Sequence, residues 1–483
     1  INASMGMLIS LGVAFVITPW LALKWLPRRF EAHAGMAGRL LPLTRRLFAP
    51  FLDDRTGTRA RRLLGFGVAG LIAVSLLLPV SGLVVLKMLP FDNKSEFQVV
   101  VDMPAGTPLE NTAAVLREMG AELAKVPEVT DYQAYAGTAA PINFNGLVRQ
   151  YYLRQSSEMG DLQVNLVDKH HRSDKSHQIA QRVRPALEQI AKRHGAKVKV
   201  VEVPPGPPVM SPIVAEVYGP DEAGRIAVAK KVRQQFANTA DIVAIDDSVE
   251  DSAPQRLLKV DQSKAAQLGV AQRDIVATMR IGLTSMAVTP LHDQQAKYEV
   301  PVVLTLPPEH QSGLDDLLKL TVKSAAGAMV PLSELVQVQA LTRDKAIYHK
   351  DLLPVVYVMA DMAGKLDSPL YGMFAARAGI SGKPLEQGGV LTDYFIRQPS
   401  DPYAGYALKW DGEWQVTYET FRDMGAAYAV GLVLIYLLVV AQFKSYLTPA
   451  IIMAPIPLTI IGVMPGHALL RAQFTATSMI GMI

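Results

Sequence analysis

The sequence contains no cysteine. That excludes a disulfide framework, a zinc-thiolate site, an iron-sulfur cluster and a thiol nucleophile within these 483 residues, and it leaves the redox compartment open. Charge is sparse as well. Only 19% of residues are Asp, Glu, Lys or Arg, against roughly 25% in an average soluble protein. The hydrophobic share of 50% excludes an intrinsically disordered chain. Three catalytic signatures are missing: the phosphate-cradling G-x-x-x-x-G-K-[ST] loop, the G-x-S-x-G nucleophile elbow and the H-E-x-x-H zinc helix. Direct ATP use and these two hydrolase chemistries therefore have no support, and the chain is read as a non-enzyme that needs no cofactor. At roughly 100–200 residues per domain, the chain is too long for one ordinary domain.

What is present is grease at both ends. Residues 5–23, 63–86, 425–443 and 445–470 carry no Asp, Glu, Lys or Arg. A bilayer core takes about 20 apolar residues as a helix, so each run predicts a span. A fifth apolar run opens at Ala472 and is cut off at Ile483, and the first run lies close to Ile1. Both ends suggest a fragment of a longer membrane protein. A signal peptide is disfavoured, because no basic region precedes the first run.

Orientation follows from the loop between the first two runs. Residues 24–62 hold ten basic and three acidic side chains, a balance of +7 in a chain whose total is +4. Loops rich in Lys and Arg stay in the cytoplasm, which places residues 89–423 on the opposite face. In a Gram-negative bacterium that is the periplasm, with Lys444 in a tight cytoplasmic turn. Leu40, Leu41, Leu43, Leu47 and Phe48 interleaved with Arg39, Arg45 and Arg46 suit an amphipathic helix on the inner membrane surface. Since the basic charge belongs to that surface, nucleic-acid binding is not expected.

The long middle region alternates strand and helix. EFQVVVDM (96–103) reads as a strand, 108–126 as a helix, DLQVNLVD (161–168) as a strand, 176–194 as a helix and KVKVVEV (197–203) as a strand. After a Pro-rich break at 204–212 the pattern returns, with strand 213–218, helix 221–240 and strand 242–249. Repeated β-α-β order of this kind marks split βαβ units in small α/β sandwiches.

Residues 256–270, RLLKVDQSKAAQLGV, end a strand at Asp261 and close a short helix at Gly269. This segment resembles one in resistance-nodulation-division (RND) efflux transporters, where a strand leads into D-x-x-K-A-x-x-L-G-V, here Asp261, Lys264, Ala265, Leu268, Gly269 and Val270. Leu89-Pro90-Phe91, Met103-Pro104-Ala105-Gly106-Thr107, Val330-Pro331-Leu332-Ser333 and the QFKSYLTP turn at 442–449 agree with that family in order and spacing. The resemblance implies a multi-span α-helical membrane protein with a large α+β periplasmic region of repeated βαβ (ferredoxin-like) porter subdomains and a docking subdomain. It implies the family's sixth span at 1–26, a basic cytoplasmic linker at 27–62, the seventh span at 63–88 and porter subdomains at 89–240. A porter return and docking subdomain follow at 241–342, then a porter return with a Gly- and Pro-rich insertion at 343–423. The eighth span falls at 424–443, the ninth at 445–470 and the start of the tenth at 472–483. One departure stands out: residues 378–414 are longer and richer in Gly and Pro than the family pattern.

The function so implied is that of an inner-membrane permease in a proton-motive-force-driven RND efflux system for hydrophobic or amphiphilic compounds. It would act as a homotrimer with a periplasmic adaptor and an outer-membrane channel. The proton-coupling acids would lie outside this stretch, since no Asp or Glu falls within the four runs. His467 is read as an interfacial residue rather than a relay. For cargo, the resemblance points to a flexible loop at 137–146, with Phe144 a sliding surface and Tyr135, Asn143 and Tyr151 nearby; the competing reading packs Phe144 into a subdomain interface. Residues 306–313, with Pro307, Pro308, Glu309 and His310, would form a hairpin tip reaching the channel protein, or else a plain surface loop. His170, His171 and His177 read as a solvated loop before a helix rather than a metal site, and the methionines form no repeating ladder. Two other functions stay open: a lipid or heavy-metal exporter of the same superfamily, and a non-transporting accessory of protein export.

Overall fold

The computed structural model describes residues 2–25, 36–52, 57–89, 92–203, 206, 209–311, 313–364 and 368–482. Four helices are long and apolar enough to cross a membrane: Met5–Trp25, Gly57–Val80, Glu413–Phe443 and Leu447–Leu470. Their large side chains point outward: Phe15, Phe66 and Leu438 are among the most exposed hydrophobics of the chain. By length and composition such helices suit a lipid surrounding. A further helix, Met36–Leu52, occupies the basic linker.

Two helix boundaries depart from the hydropathy reading. The second span begins at Gly57 and stops at Val80, because Arg59, Arg61 and Arg62 extend the helix at its basic end, where long side chains reach headgroups. The apolar residues after it form a separate strap in which Val84 is fully buried with Met464 and Phe474. The third span begins at Glu413, not near 424, and its 31 residues measure about 46 Å at 1.5 Å per residue. That exceeds the roughly 30 Å hydrocarbon core, and the charged residues Glu413, Glu419, Arg422 and Asp423 all fall in its first three turns. Ala476–Met482 is a helix of its own, joined to the strap by the turn at 471–475.

The middle region contains two sheets with one strand order. In the first module the strands Glu96–Asp102, Val129–Ala136, Met159–Leu166 and Lys197–Val201 lie in the order second, third, first, fourth, all antiparallel. The alternation of EFQVVVD sends Phe97, Val99 and Val101 to one face, where helices Leu109–Leu123 and Ser176–Arg193 cover them. In the second module Ile213–Tyr218, Ile242–Asp247, Leu353–Met362 and Ala407–Gly412 repeat that order. Helices Glu222–Ala237 and Pro369–Ile380 close its core around Phe236 and Trp410, whose rings stack 6.1 Å apart.

Between the second and third strands of the second module the chain makes an excursion with its own core, in which Ile275, Leu332 and Leu335 are fully buried. Strands Pro254–Val260 and Val336–Thr342 form its antiparallel stem. Asp261 caps the following helix by accepting a hydrogen bond from the Lys264 amide at 3.0 Å, and Gly269 ends that turn at φ +66°. An exposed hairpin, Met286–Leu291 with Val300–Leu304, projects from this unit. Residues 306–313 are not its tip. They follow the second strand and include the helical turn Pro308–Gln311, while the hairpin turns at 292–299.

Candidate functional site: the cleft between the two modules

A cleft of about 380 Å³ separates the two modules. One wall is built from Asp102, Met103, the 149–154 turn, Met159, Lys199 and Val201; the other from Met210, Asp246, Tyr348, Tyr357 and Met359. Strand ends place these groups. Asp102 closes the first strand, and Lys199 lies on the face of its strand that turns away from the helices. Ion pairs span the gap. The Lys199 ammonium bonds the Asp246 carboxylate of the opposite module and stands 3.5 Å from Asp102 on its own side. Lys197 pairs with Asp251 at 3.5 Å, and Arg343 lies 3.7 Å from Glu158. At the floor Arg154 donates to Asp102 at 2.6 Å and to Asp161 at 3.3 Å.

The neighbouring charges set the ionisation. Burial works against the charge of Asp102, but Lys199 and Arg154 outweigh it and hold the carboxyl below its ordinary range. Burial likewise opposes the Lys199 charge, and Asp246 foremost outweighs it, so its pKa is raised. Asp161 goes the other way: burial dominates over Arg154 and raises it. The cleft is thus lined by fixed opposite charges beside the methionines Met103, Met159, Met210 and Met359.

The second module is fastened to the membrane helices. The Tyr371 hydroxyl donates to the Pro79 carbonyl at 3.0 Å and accepts from the Leu86 amide at 3.3 Å. Ser368 donates to the Leu86 carbonyl at 2.7 Å. The strap then pairs with the turn after the fourth span, where the Phe474 amide bonds the Val85 carbonyl at 2.9 Å. These bonds tie the helix that starts at Pro369 to the ends of the second and fourth apolar helices.

The profile of the AcrB/AcrD/AcrF family matches residues 1–375 and 396–483. The chain belongs to that family. Among curated relatives it is 23% identical to the multidrug export protein AcrF of Escherichia coli (strain K12), over 99% of this chain and 44% of AcrF. It is 20% identical to the multidrug resistance protein MdtC of Escherichia coli O1:K1 / APEC, over 67% of this chain and 30% of MdtC. Two crystal forms of a heavy metal efflux pump share the fold, with TM-scores of 0.69 and 0.67 at 18% identity, covering 93% and 92% of this chain and 43% and 42% of that one. The chain spans less than half the length of these relatives.

In this AcrB/AcrD/AcrF family member the sequence-derived site residues are scattered. Tyr151 lines the cleft, whereas Tyr135, Asn143 and Phe144 do not. The 137–146 loop does not hang free. The Ala140 amide bonds Asp161 at 3.0 Å, Asn143 donates to Gln163 at 2.9 Å, and Asn143 caps the turn Phe144–Val148 through the Gly146 amide at 2.7 Å. Phe144 remains 44% exposed, so it fills no interface within the described residues. Tyr135 bonds Gln133. Pro307, Glu309 and His310 are exposed, with His310 3.3 Å from Asp316; the Pro308 side chain lies outside the described residues, as do Pro90 and Phe91 of the Leu89-Pro90-Phe91 motif. His177 bonds Glu202 and Gln181, and no group of His, Asp and Glu suited to a metal occurs among the described residues. Sequence reading missed Lys199, Asp246, Arg154 and the four methionines. The one available signal was the alternation in KVKVV, which sends Lys197 and Lys199 together to the strand face away from the helices.

Proposed function

We propose that this chain forms part of an inner-membrane RND efflux permease, driven by the proton-motive force, whose cargo passes through the cleft between the two modules. The observation that carries this reading is the join between that cleft and the membrane: one wall hangs on Tyr371 and Ser368, and through them on the ends of the spans. Both same-order sheets are then read as ferredoxin-like porter subdomains on the periplasmic side, as the +7 balance of the 24–62 loop favours. Opening would separate Lys199 from Asp246 and expose a cavity of the size small ligands use. Tyr151 and the Phe144 loop beside it are assigned to the cargo path. The exposed hairpin at 286–304, with Pro307, Pro308, Glu309 and His310 next to it, is assigned to docking on an outer-membrane channel within a homotrimer that also binds a periplasmic adaptor. The proton-carrying step is assigned to spans other than the four described here. The deciding experiment is dye and antibiotic accumulation in cells with and without the full-length protein. Lower accumulation that a protonophore restores supports the reading, and unchanged accumulation across a chemically broad panel refutes it.

A specific observation favours a second cargo class. Met103, Met159, Met210 and Met359 all line the cleft, and thioether sulfur suits soft monovalent metals such as Cu(I) and Ag(I). Silver tolerance conferred by the full-length protein and lost on replacing the four methionines with leucine would select this reading over amphiphile export.

A further inference from the structure

The face of the second module's sheet that turns away from its helices carries a buried cluster of charge. Alternation along three neighbouring strands sends Val214, Glu216 and Tyr218, then Val355 and Tyr357, then Ala407, Lys409 and Asp411 to that face. Glu216 is fully buried and Lys409 nearly so. The Lys409 ammonium stands 3.4 Å from both Glu216 and Asp411 and donates to Gln415 of the third span at 2.8 Å. The Tyr218 hydroxyl donates to Glu216 at 2.9 Å. Glu216 and Asp411 also hydrogen-bond each other. Two carboxyls can do so only when one of them carries a proton.

The cover over this cluster is a hairpin. Tyr348–Lys350 pairs with 353–355 at the outer border of the sheet, yet the Lys350 ammonium bonds both Glu216 and Asp411, two and three strands further in. Strands lie about 4.8 Å apart, so the hairpin bends over the sheet face to reach them. Its tip, Asp351 and Leu352, holds left-handed backbone at φ +50° and +68°, and Leu352 is 91% exposed. Besides Lys350, a bond that Asp351 accepts from Gln398 at 2.7 Å ties the tip down. Tyr348 meets Tyr357 edge-on at 6.2 Å, and both line the cleft. The hairpin therefore covers a buried acid pair and forms part of a cleft wall at once.

The groups facing Glu216 are Tyr218 on its own strand, Tyr357 on one neighbour, Lys409 and Asp411 on the other, and Lys350 with Asp351 from the hairpin. Burial foremost, and Asp411 with it, outweigh the two lysines and carry the Glu216 carboxyl up to about 7. We propose that the 348–355 hairpin is a proton-fastened flap: it stays down while Glu216 and Asp411 share a proton, and it lifts as that proton passes to solvent, loosening the Tyr348 wall of the cleft. Lifting hydrates Glu216 and returns it to its ordinary value of 4.5. Between that value and about 7 the closed form holds a proton that the lifted form lacks. The ratio of lifted to closed flap accordingly rises about tenfold per pH unit in this window and is level above it.

The test uses the full-length protein in phospholipid nanodiscs, with spin labels at Leu352→Cys and Lys230→Cys, both exposed, and pulsed electron spin resonance from pH 5 to 8. A longer distance should gain about 100-fold on the shorter one between pH 5 and 7 and level off above that. Glu216→Gln cannot release the proton, so the rise should vanish. Lys350→Met removes an ammonium that lowers the Glu216 value, so the levelling-off should move to higher pH. The melting temperature of each variant is the folding control. A distance distribution unchanged from pH 5 to 8, the same rise in a folded Glu216→Gln, or a profile unmoved by Lys350→Met would overturn the proposal. No readout involves cargo, so a protein that exports nothing yet shows this profile would fault the efflux reading and leave the flap standing.

Discussion

Replacing Lys199 with methionine keeps the length of the side chain and removes its charge. In the native cleft Lys199 is 12% exposed and Asp246 18% exposed, so solvent screens the pair poorly, and Asp102 stands 3.5 Å away on the other side. The substitution leaves the Asp102 and Asp246 carboxylates facing each other across the cleft with no ammonium between them. Removing one partner of a buried pair costs about 3–5 kcal/mol; partial exposure at the cleft mouth lowers the expected loss to about 2 kcal/mol. The whole of that loss falls on the closed arrangement, because an open cleft hydrates both acids. The ratio of open to closed cleft should therefore rise about 30-fold. The lack of native cysteine in these residues makes spin labels simple to place here, at Gln189→Cys in the first module and Lys230→Cys in the second, both exposed. Pulsed electron spin resonance on full-length protein should show a longer distance gaining population in Lys199→Met. The exchange Lys199→Asp with Asp246→Lys should recover part of the short distance. An unchanged distance distribution in Lys199→Met would refute the reasoning, since it would mean the pair does not hold the modules together.

Three further outcomes are expected. Burial foremost, with the neighbouring Asp411 adding to it, raises the Glu216 carboxyl from 4.5 to about 7; a group raised on folding contributes stability below its unfolded value that is lost as pH climbs through the folded one. Thermal melting of the protein should thus fall between pH 4.5 and above 7, and Glu216→Gln should flatten that slope. Gly412 takes φ +84°, and an added Cβ would meet the Ser211 and Pro212 carbonyl oxygens at 2.6 Å, so Gly412→Ala should cost at least about 1–3 kcal/mol and lower the melting temperature at the junction of sheet and third span. Tyr371→Phe removes the hydroxyl shared with Pro79 and Leu86 while keeping the ring; it should reduce export in the accumulation assay with little change in folded yield.

Much of the fold was legible because burial leaves a period in the sequence. Ile213–Tyr218 was placed to the residue, and Glu96–Asp102 to within one, since both put apolar side chains where a sheet needs them. Val129–Ala136 was not seen: it is an edge strand of the first sheet, and VTDYQAYA carries too little apolar alternation to announce itself. The end of the second span was misplaced for a related reason. Hydropathy continues beyond Val80 because the strap is buried against Phe474 and Met464 rather than in lipid, and composition does not tell those two surroundings apart. The cleft was the least legible part. Its lining comes from near 102, 149–159, 197–201, 244–251 and 343–361, stretches that only the strand order brings together. The loop at 137–146 drew attention for its glycines and aromatics, yet those glycines serve a turn and an N-cap, and the side chain that reaches the cleft is Tyr151.

The claim on which the account rests is that cargo moves only when the two modules part. Lys197 and Asp251 face each other across the cleft at 3.5 Å, so cysteines at both positions can be joined by a short, reducible bis-methanethiosulfonate linker in cells making the full-length protein. The account predicts that export stops when the linker is in place and returns on reduction, with either single cysteine unaffected. Export at the full rate through a linked cleft would contradict it.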